Sequence, residues 1–412
     1  MNRRAFLGGI ARIGLSGCAV RNGTLPANPA AVVPGFPAPA GVPVLMPIRA
    51  EVDRIFRVTV CLRPFRAAGP RLELERVGEK MVIHNYGHGG SGWSLSWGSS
   101  SIAVEKALAT GERDIAVIGC GALGLTSATL LQQAGARVTI YAKERPPDVR
   151  SSRATGSWTP DSRIALANSV APDFPALWEK MARRSFHIYE SYLGLAGNPV
   201  EWTDRYTLSD LSPADSQANR QRADTLEFAR YRDRIADLTP HAQDLAPGTH
   251  PFPTRFATRN SSLTFNIAAY ARQLMTDFLI TGGKIETLEF HSPSELNNLA
   301  QKVAINATGY GARALWQDET IVPVRGQIAW LIPQPEVNYG VLYKNINILS
   351  RRDGIVVQDG GTGDMFGYND ANENPDRAQA EAAVRVVAEL YQRMYDKARR
   401  SSVPTRSERS RS

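Results

Sequence analysis

The stretch Ile115-Ala-Val-Ile-Gly-Cys-Gly-Ala-Leu-Gly-Leu125 is a short apolar run ending in a G-x-G-x-x-G turn. The apolar run predicts a buried strand over Asp114–Ile118. Alanines and leucines at helical spacing predict a helix over Leu123–Gln133, ended by Gly135. Arg137–Tyr141 predicts the next strand, so the region is one βαβ opening of a doubly wound sheet. Each glycine then has a task. Gly119 allows the tight turn, Gly121 lets a dinucleotide pyrophosphate approach the backbone, and Gly124 lets helix and strand close. Ala122 and Leu123 complete the phosphate-facing loop. The alternative is a plain turn between strand and helix.

Outward from this turn, Tyr141-Ala-Lys-Glu144 places Glu144 one residue past the usual position of the acid that holds ribose hydroxyls. A surface carboxylate paired with Arg145 is the other reading. The loop Val149-Arg-Ser-Ser-Arg-Ala-Thr-Gly-Ser-Trp-Thr-Pro160 offers Arg150, Ser151, Gly156 and Trp158 to cap phosphates and abut a flat ring, unless it is a polar surface loop. Ile305-Asn-Ala-Thr-Gly309 follows a second buried run. In flavoproteins a strand ending in A-T-G packs beside the cofactor, so Thr308 and Gly309 favour FAD over NAD. Upstream lies His84-Asn-Tyr-Gly-His-Gly-Gly-Ser-Gly-Trp93, read as facing the redox ring of a flavin. His84 and His88 lack metal-ligand spacing, and no metal is assigned.

The chain has 412 residues, enough for a large core and two domains. With 43% apolar and 21% charged residues its balance is that of an ordinary globular protein. The net charge of +8 is uneven, because Arg393–Ser412 holds seven Lys/Arg against two acids. That concentration predicts a disordered basic tail over 399–412 and argues against nucleic-acid binding. At the other end, Asn2-Arg-Arg-Ala-Phe-Leu7 resembles a twin-arginine export signal over 1–22, and Leu15-Ser-Gly-Cys18 resembles a lipobox. An exported protein, periplasmic or held at a membrane by a lipid on Cys18, is expected; an ordinary basic leader on a cytoplasmic protein is the alternative. Residues 23–44 read as a flexible tether. Cys61 and Cys120 sit in apolar runs and read as core thiols.

The expected fold class is α/β (α+β overall): a Rossmann-like FAD-binding domain from 77–168 and 258–318, with a second, mixed-sheet substrate domain from 45–76, 169–257 and 319–398. Strands are expected within 45–60, the pattern being broken at Arg63-Pro-Phe-Arg66, and again at 72–76, 81–83, 284–290 and 302–307. Helices are expected at 99–108, after a loop spanning 84–97, and at 175–195, 266–281 and 375–398. Residues 320–332 and 339–368 predict an antiparallel sheet.

Together these motifs resemble the D-amino-acid oxidase family. The resemblance rests on Gly119–Gly124, Gly156-Ser-Trp-Thr-Pro160, Asn306-Ala-Thr-Gly309, Pro323-Val-Arg-Gly-Gln327, Gly360-Gly-Thr362, Arg63-Pro-Phe-Arg66 and His84-Asn-Tyr-Gly-His-Gly-Gly90. It covers most of residues 55–395. The order is permuted: in the family the R-P-x-R and H-N-Y-G-H-G-G segments close the chain, whereas here they precede the dinucleotide turn. Termini that lie close in space make such a permutation tolerable.

The resemblance implies FAD as cofactor and a D-amino acid as substrate. Oxidation by hydride transfer to the flavin yields a 2-oxo acid and ammonia, with hydrogen peroxide if oxygen rather than a respiratory acceptor reoxidises the flavin. Arg63 would hold the substrate carboxylate as a bidentate fork, Tyr343 would hydrogen-bond it, and Gly90 would offer its carbonyl to the amino group. The backbone of Gly89, Gly90, Ser91, Gly92, Trp93 and Ser94 would face the flavin. Arg63 in a structural ion pair and Tyr343 in the core are the competing readings. Where the family has a second tyrosine, this chain has Asn347. Lys344, Arg351 and Arg352 lie close to Tyr343 in sequence and would suit an acidic D-amino acid, or are exposed loop charges. A glycine/sarcosine-type amine oxidase, a D-amino-acid dehydrogenase and a non-catalytic flavin-binding protein are the alternatives.

Overall fold

Runs of aliphatic and β-branched residues without polar alternation make strands that must be covered on both faces. In the computed structural model, which describes residues 43–401, such runs form the centre of the smaller of two sheets. The chain enters with β1 (Ile55–Arg66), β2 (Leu74–Val77) and β3 (Lys80–His84), then helix α1 (Gly92–Leu108). The βαβ unit follows as β4 (Asp114–Ile118), α2 (Ala122–Gln133) and β5 (Arg137–Ala142). Next come α3 (Phe174–Glu190), β6 (Val200–Ser209), α4 (Pro213–Ala223), β7 (Gln243–Leu245), β8 (Phe256–Phe265) and α5 (Ile267–Ile280). Strands β9 (Lys284–Thr287) and β10 (Val303–Asn306) precede the short helix α6 (Ala312–Leu315). The chain continues through β11 (Ile321–Leu331), β12 (Tyr339–Tyr343), β13 (Ile346–Arg351) and β14 (Gly354–Asp359) to α7 (Arg377–Ser401).

The smaller sheet has the order β2-β3-β10-β4-β5-β9. Its strands are parallel apart from β2, which pairs antiparallel with β3. β10 is buried along its whole length. Helices α1 and α2 meet through small residues: Ser127 Oγ donates to Ser100 Oγ at 2.9 Å, and Asn85 Nδ2 donates to both hydroxyls at 3.2 Å. A Cβ at Gly98 would stand 2.1 Å from the Met181 carbonyl oxygen, so α1 and α3 touch backbone to backbone.

The larger sheet has the order β1-β11-β14-β13-β12-β6-β8-β7. On one face it is covered by α7, whose buried Ala380, Ala383, Val384, Val387, Leu390, Tyr391 and Met394 recur at helical spacing. Burying each larger aliphatic side chain stabilises by about 1.5–3 kcal/mol.

Several expectations need correction. β1 runs straight through Arg63-Pro-Phe-Arg66, because it is the edge strand and its Pro64 sits opposite Pro323, where no ladder hydrogen bond is lost. Helix α1 begins at Gly92, seven residues before the expected start at Ser99. Its first turns are buried all round, from Trp93 to Ser100, so no polar face marks them in the sequence. β8 belongs to the larger sheet and β2 to the smaller, which moves residues 258–265 and 74–76 across the expected division. The expected export leader with Cys18, most of the expected tether and residues 402–412 lie outside the described residues. Cys61 and Cys120 are free thiols.

Candidate active site

The dinucleotide turn joins β4 to α2 as the glycine spacing requires. Gly119 has φ +106°, and a Cβ there would lie 2.6 Å from the Ala307 carbonyl oxygen. A Cβ on Gly124 would stand 2.0 Å from the Gly119 carbonyl oxygen, so only glycine lets helix and strand close. At Gly121 a Cβ would meet nothing nearer than Ser151 Oγ, at 3.1 Å. Gly119 N–H donates to Tyr141 O at 2.8 Å, Ala122 N–H to Ser151 Oγ at 3.2 Å and Leu125 N–H to Gly121 O at 2.9 Å, whereas the N–H groups of Leu123 and Gly124 have no partner among the described residues. The first turn of α2 has no acidic side chain. A bare backbone cradle at a positive helix end, free of competing carboxylates, is a donor set that fits a pyrophosphate. Gly119, Gly121, Ala122 and Leu123 would hold that part of FAD, with Gly124 letting the helix close on the strand.

A cavity of about 540 Å³ opens beside the turn, lined by residues of both sheets. Gly119, Gly121, Ala122 and Leu123 line it, with Glu144, Arg150, Ser151 and Gly156. So do Gly89, Gly90, Gly92, Trp93 and Ser94, and Thr308 and Gly309 after β10. Ser151 ties two helix starts together: its Oγ accepts from Ala122 N–H at 3.2 Å and its carbonyl accepts from Trp93 Nε1 at 2.8 Å. Arg150 pairs with Glu373 at 2.6 Å. Glu144 is exposed, and the alternative partner Arg145 instead donates to Ile285 O at 3.0 Å and Thr287 Oγ1 at 3.1 Å. The N-terminus of α1, formed by Gly92, Trp93 and Ser94, is also at the cavity, so its positive end can stabilise negative charge there.

Four expected residues are not in the lining. Gly124 is used up by its contact with Gly119. Ser91 is buried and donates to Ser162 O at 3.1 Å. Trp158 is buried with its ring edge-on to Phe186, centroids 5.0 Å apart. Tyr343 is the largest correction. Its hydroxyl donates to Asp210 Oδ2 at 2.7 Å and accepts from Arg393 Nη1 at 2.7 Å, within the core shared with α7. The cause is strand parity. A tight turn with positive φ at Lys344 and Asn345 joins β12 to β13, pairing Tyr343 with Ile346 and Leu342 with Asn347. Side chains alternate faces along a strand, so Tyr343 and Asn347 point to opposite sides. Asn347 lines the cavity and Tyr343 does not.

Arg63 does line the cavity, and its surroundings are unusual. Its Nη1 donates to Arg325 O at 3.2 Å, yet among the described residues no carboxylate pairs with it. The guanidinium lies flat over Gly326, where a Cβ would come within 2.4 Å of a terminal nitrogen. Burial, reinforced by the neighbouring Arg163, pulls its pKa down to about 10. A desolvated cation that faces the cavity with no carboxylate paired to it among the described residues calls for an anion from outside the chain. Gly326, Asn347, Gln358 and Arg163 also line this part of the cavity, although the sequence reading assigned none of them a role there. Gly326 lay within the quoted P-V-R-G-Q run and Asn347 at the position of the family's second tyrosine; nothing local marks Gln358 or Arg163.

The two histidines are structural. Asn306 Nδ2 donates to His84 Nδ1 at 3.1 Å, leaving Nε2–H to donate to Glu75 at 2.8 Å. His88 Nε2 donates to Ser99 Oγ at 2.7 Å, because that hydroxyl itself donates to Asn85 Oδ1 at 2.5 Å. Burial pushes the His88 pKa down to about 3. The unfolded chain therefore binds a proton below about pH 6.5 that the folded chain refuses until about pH 3, so stability falls with acid across that window. His88→Gln is expected to lose about 2 kcal/mol less stability than the wild type between pH 7 and pH 5. Denaturant unfolding of both proteins at the two pH values checks this; equal losses contradict it.

The family model described as FAD dependent oxidoreductase matches residues 114–409. A D-amino-acid oxidase of Rubrobacter xylanophilus is 27% identical over 285 residues, 68% of this chain and 77% of that protein. One from Streptomyces coelicolor is also 27% identical, over 53% of this chain and 59% of its own length. Among solved structures, an L-amino acid deaminase from Proteus vulgaris aligns with a TM-score of 0.46 at 16% identity, covering 68% of this chain and 74% of that one. The matched family span begins at Asp114, so Arg63 and the glycine run of His84–Trp93 precede it.

Proposed function

Because the chain belongs to the FAD-dependent oxidoreductase family, we propose that it oxidises D-amino acids to 2-oxo acids and ammonia. The observation that carries this reading is Arg63, an acid-free guanidinium facing the same cavity as the dinucleotide turn. It suits a carboxylate held bidentately, a geometry that lysine cannot supply. The names of the relatives support D-amino acids as the class. Bound FAD supplies the two-electron acceptor. The chain's own contribution is placement: Arg63 fixes the carboxylate, Gly90 turns its carbonyl toward the amino group, and the α1 N-terminus stabilises negative charge at the cofactor. His88, held neutral, takes no proton from the substrate.

Gly326 gives a separate handle on Arg63. Gly326→Ala is expected to push the flexible guanidinium aside, raising KM for a D-amino acid about a hundredfold without loss of FAD. Steady-state kinetics beside flavin content checks it.

The function is tested with the purified flavoprotein and a panel of D- and L-amino acids, glycine and sarcosine, detecting ammonia and hydrogen peroxide. Both products from D-amino acids alone support the proposal. Products from glycine or sarcosine alone would replace it with amine oxidation, and ammonia without peroxide would point to an acceptor other than oxygen.

We also propose that the chain is a circular permutant of the family's order. In support, the family match starts at β4, and only residues 109–113 separate α1 from β4. A gene with residues 43–113 moved behind 401 should still yield FAD-loaded protein; an aggregated product would count against the permutation. The leader supports export with a lipid on Cys18, which palmitate labelling with Cys18→Ser as control tests.

A further inference from the structure

The larger sheet holds a second cation behind the cavity wall, bonded to one of a pair of amides that line it. Asn347 on β13 and Gln358 on β14 are cross-strand partners, and both line the cavity. Each has its oxygen tied down. Asn347 Oδ1 accepts from Arg205 Nη2 at 2.6 Å, and since a guanidinium only donates, the amide nitrogen must point away from it. Gln358 Oε1 accepts from the Thr155 hydroxyl at 2.6 Å. Neither amide nitrogen has a partner among the described residues. These two amides therefore turn donors, not acceptors, toward the cavity.

Behind them, Arg205 on β6 reaches over Gly340 of β12, where a Cβ would lie 3.6 Å from its Nε. Its other contact is Ser157 Oγ at 2.6 Å, a further cavity residue, and no carboxylate pairs with it among the described residues. Like Arg63 on β1, Arg205 on β6 is thus an arginine without an acid partner among the described residues. The cations near Tyr343 in sequence are engaged elsewhere. Arg351 pairs with Asp353 at 2.6 Å, Arg352 pairs with Glu201 at 2.9 Å, and Lys344 stands over the Tyr343 ring at 5.4 Å.

We propose that Asn347 and Gln358, backed by Arg205, form a side-chain subsite for a carboxylate, so that the preferred substrates are acidic D-amino acids of the size of D-aspartate or D-glutamate. The proposal rests on the D-amino-acid oxidase reading given above. A carboxylate can accept from both amide groups while Arg205 balances its charge. An apolar side chain would leave those N–H groups unpaired, which is the larger penalty in discrimination.

The test uses the FAD-loaded protein and two readouts. Succinate and butyrate, neither of them oxidisable as an amine, are titrated against the visible flavin spectrum, and kcat/KM is measured for D-aspartate, D-asparagine and D-alanine. Succinate is expected to bind at least about tenfold more tightly than butyrate, and D-aspartate to exceed D-asparagine by a similar factor. In Asn347→Leu the ratio of D-aspartate to D-alanine should fall about tenfold or more. Butyrate binding as tightly as succinate, or D-alanine and D-asparagine matching D-aspartate, overturns the subsite and leaves the oxidase reading intact. If no D-amino acid reduces the flavin, D-alanine included, both fail together. The succinate comparison needs no variant and so stands even if Asn347→Leu does not fold.

Discussion

Replacing Arg63 by alanine is expected to lower kcat/KM for D-amino acids by about 10²–10⁴-fold while leaving FAD content unchanged. The carboxylate of the incoming zwitterion would be buried with no partner, a loss on the order of 3–5 kcal/mol when one member of a buried pair is removed. The substrate-free protein should not suffer. Arg63 there is a desolvated cation with no acid among the described residues and a second guanidinium, Arg163, close enough to depress its pKa. Thermal unfolding of Arg63→Ala is therefore expected at or above the wild-type midpoint. A structural ion pair would give the opposite pattern, lower stability with activity retained. Arg63→Lys should recover little, because a point charge cannot reproduce the planar fork.

The second large effect is at the other end of the cavity. Gly121→Asp is expected to yield folded protein that purifies without FAD. A Cβ there would meet only the Ser151 side chain, its Oγ at 3.1 Å, a tight contact that the rotatable hydroxyl can relieve without moving backbone. The new carboxylate would occupy the space where the α2 N–H groups await the pyrophosphate. Like charges in such contact cost several kcal/mol, and a loss of about 3–5 kcal/mol weakens FAD binding by about 10²–10⁴-fold. Circular dichroism and flavin absorbance separate this outcome from misfolding. Gly124→Val is the contrasting case. Its side chain would collide with the Gly119 carbonyl oxygen, 2.0 Å from the first added carbon, and should cost the fold itself.

How far the sequence could be read depended on whether a feature was local. The turn from Gly119 to Gly124 was legible because each glycine answers to a constraint within its own βαβ unit. Glu144, Arg150 and Ser151 followed, since a strand end fixes what comes after it. Pro64 misled because tolerance of proline depends on being at a sheet edge, which no window of sequence records. The early turns of α1 were hidden by burial on every side, which erases the polar face that marks a helix. β8, with Thr258, Arg259, Asn260, Ser261 and Ser262 at its centre, has a loop's composition and is a strand because β6 and β7 flank it. The exchange of Tyr343 for Asn347 at the cavity came from a two-residue turn that reverses strand parity. Arg205 and Gln358 became visible only once four strands of the larger sheet were laid side by side.

The central claim is that the cavity joining the dinucleotide turn to Arg63 oxidises D-amino acids. Anaerobic mixing of the FAD-loaded protein with D-aspartate or D-alanine, and then with the L-enantiomers, tests it most directly. Loss of the yellow flavin colour with a D-enantiomer and none with its L-counterpart is the predicted result. Colour that persists with every D-amino acid, or that fades equally with the L-forms, would contradict it.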